Sequence, residues 1–306
     1  MSERPSRSNS SLTLEREPLH HIVVATDFSA RAEQALVRAT KLPLAETARI
    51  DIVHVLPELP RAYDTRAVRS AQSELDALAG VAKEQRREAK VATKLLRGDP
   101  ARVIAALATE AKPDLLVIGR HGKRPLRDLF LGSTAEKIAR HCTTPVLLVN
   151  RPPRSEYRRP IVAIDTDETS MVAMDFMGRA VSPTVVRHLV HAFEPLLESS
   201  IMGLNDEERA RLRHDCKLAA LEALGPVRRR LQLAKIPHTL TLKLGPPRTV
   251  LIKAIEHKDS DLIALGTHAR SGVSYAFLGS VAADVLREAP CDVLVVRPSR
   301  LRVKPL

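Results

Sequence analysis

The residues whose types and spacing could do chemistry lie between Leu115 and Thr134, in the stretch LLVIGRHGKRPLRDLFLGST. An apolar run ends on Gly119, Gly122 follows after two residues and Gly132 after nine more, and Ser133 and Thr134 come at once. Glycines let a ligand approach the main chain closely, and the free amides of a helix start favour negative charge. A strand, a glycine loop and a helix start in that order therefore make an anion site. The chemistry is that of a loop cradling a nucleotide phosphate. Arg120, His121, Lys123, Arg124 and Arg127 lie in the same loop and could add charge on the phosphate side, with plain solvation as the alternative.

The elements that must position this loop can be read on both sides of it. Ile22 to Ala25 form an apolar run ending in Thr26-Asp27-Phe28-Ser29, and Ser29 is placed to cap a helix whose apolar face holds Ala32, Ala35, Leu36 and Ala39. Ile50 to Leu56 is a second strand closed by Pro57, followed by helical spacing from about Ala67 to Ala89. Val91 to Leu96 is a third, and Gly98-Asp99-Pro100 ends it with Asp99 as cap and Pro100 at the first helical position. Leu115 to Ile118 is the fourth strand, a helix runs from Ser133 to about His141, and Val146 to Val149 is the fifth strand. Strands that alternate with helices and are apolar on both faces predict a mainly parallel, doubly wound α/β sheet.

The pattern then restarts. After a Pro- and Arg-rich linker, Pro160 to Asp165 repeats the first strand with Asp165 in the place of Asp27, and His191 stands where the second strand has His54. Gly98 and Gly245, Gly119 and Gly266, His121 and His268, Gly132 and Gly279, and Ser133 and Ser280 are each 147 residues apart. The chain is an internal duplication. The earlier offsets are smaller, 138 for the aspartates and 137 for the histidines, so the second half carries a longer connection before its third strand, around Leu197 to Ala210. The expected organisation is a disordered tail over 1–19, one domain over 20–150, a linker over 151–159, a second domain over 160–298 and a short tail over 299–306.

Composition narrows the classes. No apolar run approaches the roughly 18 residues needed to cross a bilayer, and the Ser- and Arg-rich start lacks a signal-peptide core, which predicts a soluble cytoplasmic protein with no membrane partner. The net charge of +12 would suit nucleic acid, but 3% aromatic content and no Trp leave few stacking platforms for single strands, and no helix-turn-helix or zinc-finger signature is present. Three cysteines without CxxC spacing predict neither a disulfide framework nor a zinc site.

Taken together, Thr26-Asp27-Phe28-Ser29, Val53-His54-Val55, Gly119-x2-Gly122-x9-Gly132-Ser133 and Thr144-Pro145-Val146-Leu147-Leu148-Val149 resemble the universal stress protein family, in a tandem form with two domains. The resemblance implies flavodoxin-like (Rossmann-like) domains, each a five-stranded parallel sheet of order 3-2-1-4-5 with helices on both faces. It also implies ATP, with or without Mg2+, as ligand, and a sensor or regulator in stress response. Carried over by position, Asp27 sits near the ribose and any metal, Val55 beside the base, and Ile118 and Gly119 under the nucleotide. Gly122, Gly132, Ser133 and Thr134 receive the phosphates. The equivalent second site would use Asp165, Gly266, Ala269, Gly279, Ser280 and Val281, and is weakened because Ala269 replaces the second glycine.

Catalytic machinery is not evident: GxxxxGK[ST], GxSxG and HExxH are all missing, so at most slow ATP hydrolysis or self-phosphorylation is expected. His54 and His191 each stand alone and are expected to be structural histidines, and Cys142, Cys216 and Cys291 packed thiols. The last strands, Val146 to Val149 and Val293 to Val296, are apolar edges expected to pair with each other, with a homodimer as a further level of assembly. The competing functional reading is a protein-interaction scaffold that holds no nucleotide, and behind it a nucleic-acid binder using the basic surface.

Overall fold

The computed structural model describes residues 17–58, 61–120, 133–166, 168–194, 204–267 and 278–297. Gly122, Gly132, His121, Lys123, Arg124 and Arg127 of the first glycine loop lie outside the described residues, as do His268 and Ala269 of the second. The first half runs β1 (Leu19–Thr26), α1 (Ala30–Thr40), β2 (Leu44–Leu56), α2 (Arg61–Gln85), β3 (Lys90–Arg97), α3 (Pro100–Ala111), β4 (Leu115–Gly119), α4 (Ser133–His141) and β5 (Val146–Val149). The second half repeats the order with β6 (Pro160–Ala163), α5 (Glu168–Ala180), β7 (Arg187–Phe193), α6 (Asp206–Ala223), α7 (Gly225–Leu233), β8 (His238–Leu244), α8 (Pro247–Lys258), β9 (Leu262–Gly266), α9 (Ser280–Glu288) and β10 (Asp292–Val296). Among its described residues the longer second-half connection thus carries two helices, α6 and α7, where the first half has α2.

Local chemistry sets the helix starts. Ser29 caps α1, its Oγ accepting the Ala32 amide, and Asp99 caps α3 by accepting from Arg102, with Pro100 at the first position where a missing N–H costs nothing. Each half is a parallel sheet of order 3-2-1-4-5. The two join into one ten-stranded sheet, β3-β2-β1-β4-β5-β10-β9-β6-β7-β8. At the join β5 and β10 pair, as their apolar edges predict, and run antiparallel. Leu147 faces Leu294, its own repeat equivalent, while Val146 and Leu148 face Val295 and Val293. The repeat is therefore related by a pseudo-twofold axis at this pair, which removes two exposed edges at once. Apolar residues fill both faces: Ile22, Val24, Ile50 and Ile52 belong to one core with α1 and α2, and Val23, Val53, Leu116 and Ile118 to the other with α3 and α4.

One clamp recurs in both halves. Asp114, just before β4, accepts the amides of His20 and His21 at 2.8 and 2.9 Å, and its repeat equivalent Asp261 accepts those of Arg158 and Arg159 at 2.7 and 3.1 Å. Asp114 also holds Arg179 of α5 at 2.6 Å, tying the first half to the second. Burial alone would raise its pKa, but Arg179 and the two amides outweigh it and hold the carboxyl below its ordinary value. The fully buried Asp51 of β2 behaves alike: burial opposes ionisation, and Arg49 at 2.6 Å and Lys94 at 3.2 Å hold its pKa down. A carboxyl depressed in the folded state stabilises above its unfolded pKa of about 4, and that stability is lost as pH falls through the folded value. Urea midpoints should therefore drop steeply below about pH 4. Asp114→Asn should lower the midpoint at pH 7 and flatten this acid limb, and an unchanged limb would show that the clamp does not carry it.

Candidate functional site

In a 3-2-1-4-5 sheet the chain leaves β1 and β4 in opposite directions, and the crevice at their carboxyl ends is where α/β sheets bind ligands. β1 and β4 are neighbours in the first half, and β6 and β9 in the second. In the first half the turn after β1 is tightly fixed. The Phe28 amide donates to Thr26 Oγ1 at 3.0 Å, and the Ser29 amide to Asp27 Oδ1 at 3.1 Å. Phe28 has φ of 61°, a conformation that bulky residues rarely adopt outside functional turns. Its ring lies 4.1 Å from that of His54, whose Nδ1 meets the Thr26 carbonyl at 2.7 Å. His191 repeats this in the second half, with Nδ1 2.9 Å from the Ile164 carbonyl. Each histidine thus grips the main chain through one ring nitrogen, beside the aspartate that follows the strand.

Asp27 is half-buried, Val55 and Ile118 are buried on the α3–α4 side, and Ser133 and Thr134 are exposed at the start of α4. Gly119 closes β4, where its missing side chain makes room for a helix. A Cβ would stand 3.0 Å from the Arg31 carbonyl group, in the first turn of α1. Gly266 does the same for α5 with less space, since its Cβ would fall 2.4 Å from the Thr169 oxygen.

The second half encloses a crevice of about 450 Å³. Its lining combines apolar side chains, among them Ala163, Val190 and Leu265, with Asp165, Ser170, His191, Thr267 and the start of α9 at Gly279, Ser280 and Val281. The Asp165 amide donates to Ser170 Oγ at 2.6 Å, and Asp165 Oδ1 accepts the Thr166 amide at 2.8 Å. Thr169, Ser170 and Thr267 are crevice residues that motif reading missed. Comparison of the two repeats could have found Thr267, because it stands where the first half has Arg120.

The Arg120 guanidinium is bonded within the protein. It is buried, and its Nη1 donates to the Ala289 carbonyl at 2.7 Å and its Nη2 to that of Arg287, at the carboxyl end of α9. Arg297, after β10, reciprocates by donating Nη2 to Ala139 at 3.0 Å and to Arg140, in the last turn of α4. Unmet carbonyls at a helix end carry partial negative charge, so each guanidinium is drawn to the other half's helix. Burial depresses the pKa of both. As expected of packed thiols, Cys142 and Cys291 are buried and Cys216 is half-buried, none of the three in a disulfide, and burial pushes the Cys291 thiol far up.

Among solved structures, a universal stress protein from Archaeoglobus fulgidus superposes with a TM-score of 0.67 at 18% identity, over 90% of this chain and 96% of that one. Universal stress protein E of Salmonella typhi is 26% identical over 210 residues, and the chain spans 65% of that relative's length. The Thermus aquaticus protein named universal stress protein in QAH/OAS sulfhydrylase 3'region is 33% identical over 139 residues, 42% of this chain and 96% of that protein. The model of the universal stress protein family matches residues 18–150 and again 156–297. With both halves matched and joined in one ten-stranded sheet, the chain belongs to the universal stress protein family.

Proposed function

We propose that this protein binds an adenine nucleotide, ATP, in its switch-point crevices and serves in the cytoplasm as a stress-responsive regulator rather than a hydrolytic enzyme. The observation that carries the reading is the second-half crevice, whose lining combines apolar side chains with hydroxyls at a helix start. An aromatic base gains from the first, and phosphates from the second. The first half repeats that frame with Asp27, Ile118, Gly119, Ser133 and Thr134 and adds the full glycine spacing of its loop. Among the described residues no three His, Cys, Asp or Glu side chains converge as metal ligands, so Mg2+ would enter with the phosphates, beside Asp27. Homodimerisation would use another face, because β5 and β10 are already paired with each other.

Mass spectrometry of small molecules released from the purified protein, followed by calorimetry with ATP, tests this. Gly122→Val, placing a branched side chain in the first loop, should weaken that site at least about tenfold, a loss of about 1.4 kcal/mol. If neither ATP nor AMP binds the unaltered protein, with or without Mg2+, the proposal fails and the scaffold reading takes its place.

A further inference from the structure

The residue after the strand glycine makes the two crevices chemically unequal. In the first half it is Arg120, whose guanidinium is committed to the carboxyl end of α9. In the second half it is Thr267. Its amide donates to the Val296 carbonyl at 2.9 Å, which fixes the backbone at the carboxyl end of β9. The residue is 2% exposed and lines the crevice, yet its Oγ1 has no hydrogen-bond partner. Buried hydroxyls are nearly always paired, because leaving one unmet is destabilising. The start of α9 opens on the same cavity. Its N-cap is Gly279, which offers no side-chain cap, so among the described residues the first turn of the nine-residue helix starts uncapped. An unmet hydroxyl and an uncapped helix start on one cavity are complementary to an anionic oxygen.

We infer that Thr267 is a ligand-binding residue of the second crevice, donating from Oγ1 to a phosphate oxygen of a nucleotide whose phosphates lie at the start of α9. The inference rests on the nucleotide reading and extends it. The second crevice, despite Ala269, holds ligand through a side-chain donor that the first crevice lacks. The hydroxyl is kept unmet in the free protein because the ligand supplies its partner.

The test uses the full chain carrying Gly122→Val, so that the first crevice is disabled, and ATP as the probe in calorimetry. That protein should still bind one equivalent. Adding Thr267→Val, which keeps the shape and removes the hydroxyl, should weaken ATP about tenfold, whereas Thr267→Ser should keep the affinity within about twofold. Adenosine, which carries no phosphate, should bind the Val variant and its parent equally. Without ligand, Thr267→Val should melt about 3 °C higher, since it removes a buried unmet group. This opposition of a more stable free protein and a weaker complex is not what a purely structural threonine would give. Equal ATP affinity with and without the hydroxyl, or a lower melting point for the free Val variant, would overturn the assignment. An equal loss for adenosine would overturn the phosphate contact. If unaltered protein binds one equivalent and Gly122→Val binds none, the second crevice is not a nucleotide site while the first stands. If the unaltered protein binds none, the nucleotide reading itself fails.

Discussion

Gly266→Ala should destabilise the protein by about 3 kcal/mol, at the upper end of overpacking costs, and lower its melting point by about 6–12 °C. The added Cβ would fall 2.4 Å from the Thr169 oxygen, 2.6 Å from its carbonyl carbon and 2.8 Å from its Cβ. Two of these are backbone atoms at the start of α5 and cannot turn aside like the end of a long side chain, so α5 or β9 must move. The internal control is Gly119→Ala at the equivalent position, where the nearest atoms of Arg31 stand at 3.0 Å and the cost should be about 1 kcal/mol. Thermal melts of the two variants should rank in that order. Equal melting points would show that the helix starts adjust freely and that neither glycine is required for close approach.

Asp292→Asn is the second large effect. Asp292 opens β10 fully buried and accepts four hydrogen bonds among the described residues. They come from Arg38 Nε at 3.2 Å, Tyr157 Oη at 2.6 Å and the amides of Asn150 at 2.8 Å and Arg151 at 3.0 Å. Arg38 also stacks 4.0 Å over the Tyr157 ring and donates to the Ser155 carbonyl at 2.7 Å. One carboxylate thus gathers α1, the linker and β10. Burial pushes its pKa up against the pull of these donors, and burial together with Asp292 pushes the Tyr157 hydroxyl well above its ordinary range, so Tyr157 remains a donor. An amide there would face donors with an NH2 group and leave the buried Arg38 cation without its counter-charge. Breaking a buried pair from one side costs about 3–5 kcal/mol, and urea unfolding should show a loss of that size. The double variant Asp292→Asn with Arg38→Met should recover part of it, because both charges are then gone. A loss no smaller in the double variant would place the stability elsewhere.

The cluster around Asp292 also marks where sequence reading stops. Asp292 stands at the start of an apolar strand where the first repeat has Pro145, and nothing nearby points to its partners. Arg38 lies 254 residues away and Tyr157 135. Arg120 shows the same limit more sharply. Its place inside a glycine motif suggested phosphate, and only the folded chain brings it to carbonyls 167 and 169 residues on, which bind it first.

What the sequence determined by itself is the part written in local periodicity and repetition. The apolar runs set the strands, Ser29 and Asp99 set two helix starts, the constant offset of 147 residues set the duplication, and two apolar last strands set their own pairing. These depend on neighbours along the chain or on copies of the same pattern, and both are visible in one dimension. The tertiary structure alone decided which glycines yield to helix backbones, which guanidinium grips which helix, and which crevice keeps a hydroxyl unmet. Those outcomes depend on distances between residues far apart in the chain, and a hydrogen bond or a steric contact is settled by tenths of an ångström that no spacing of residues encodes.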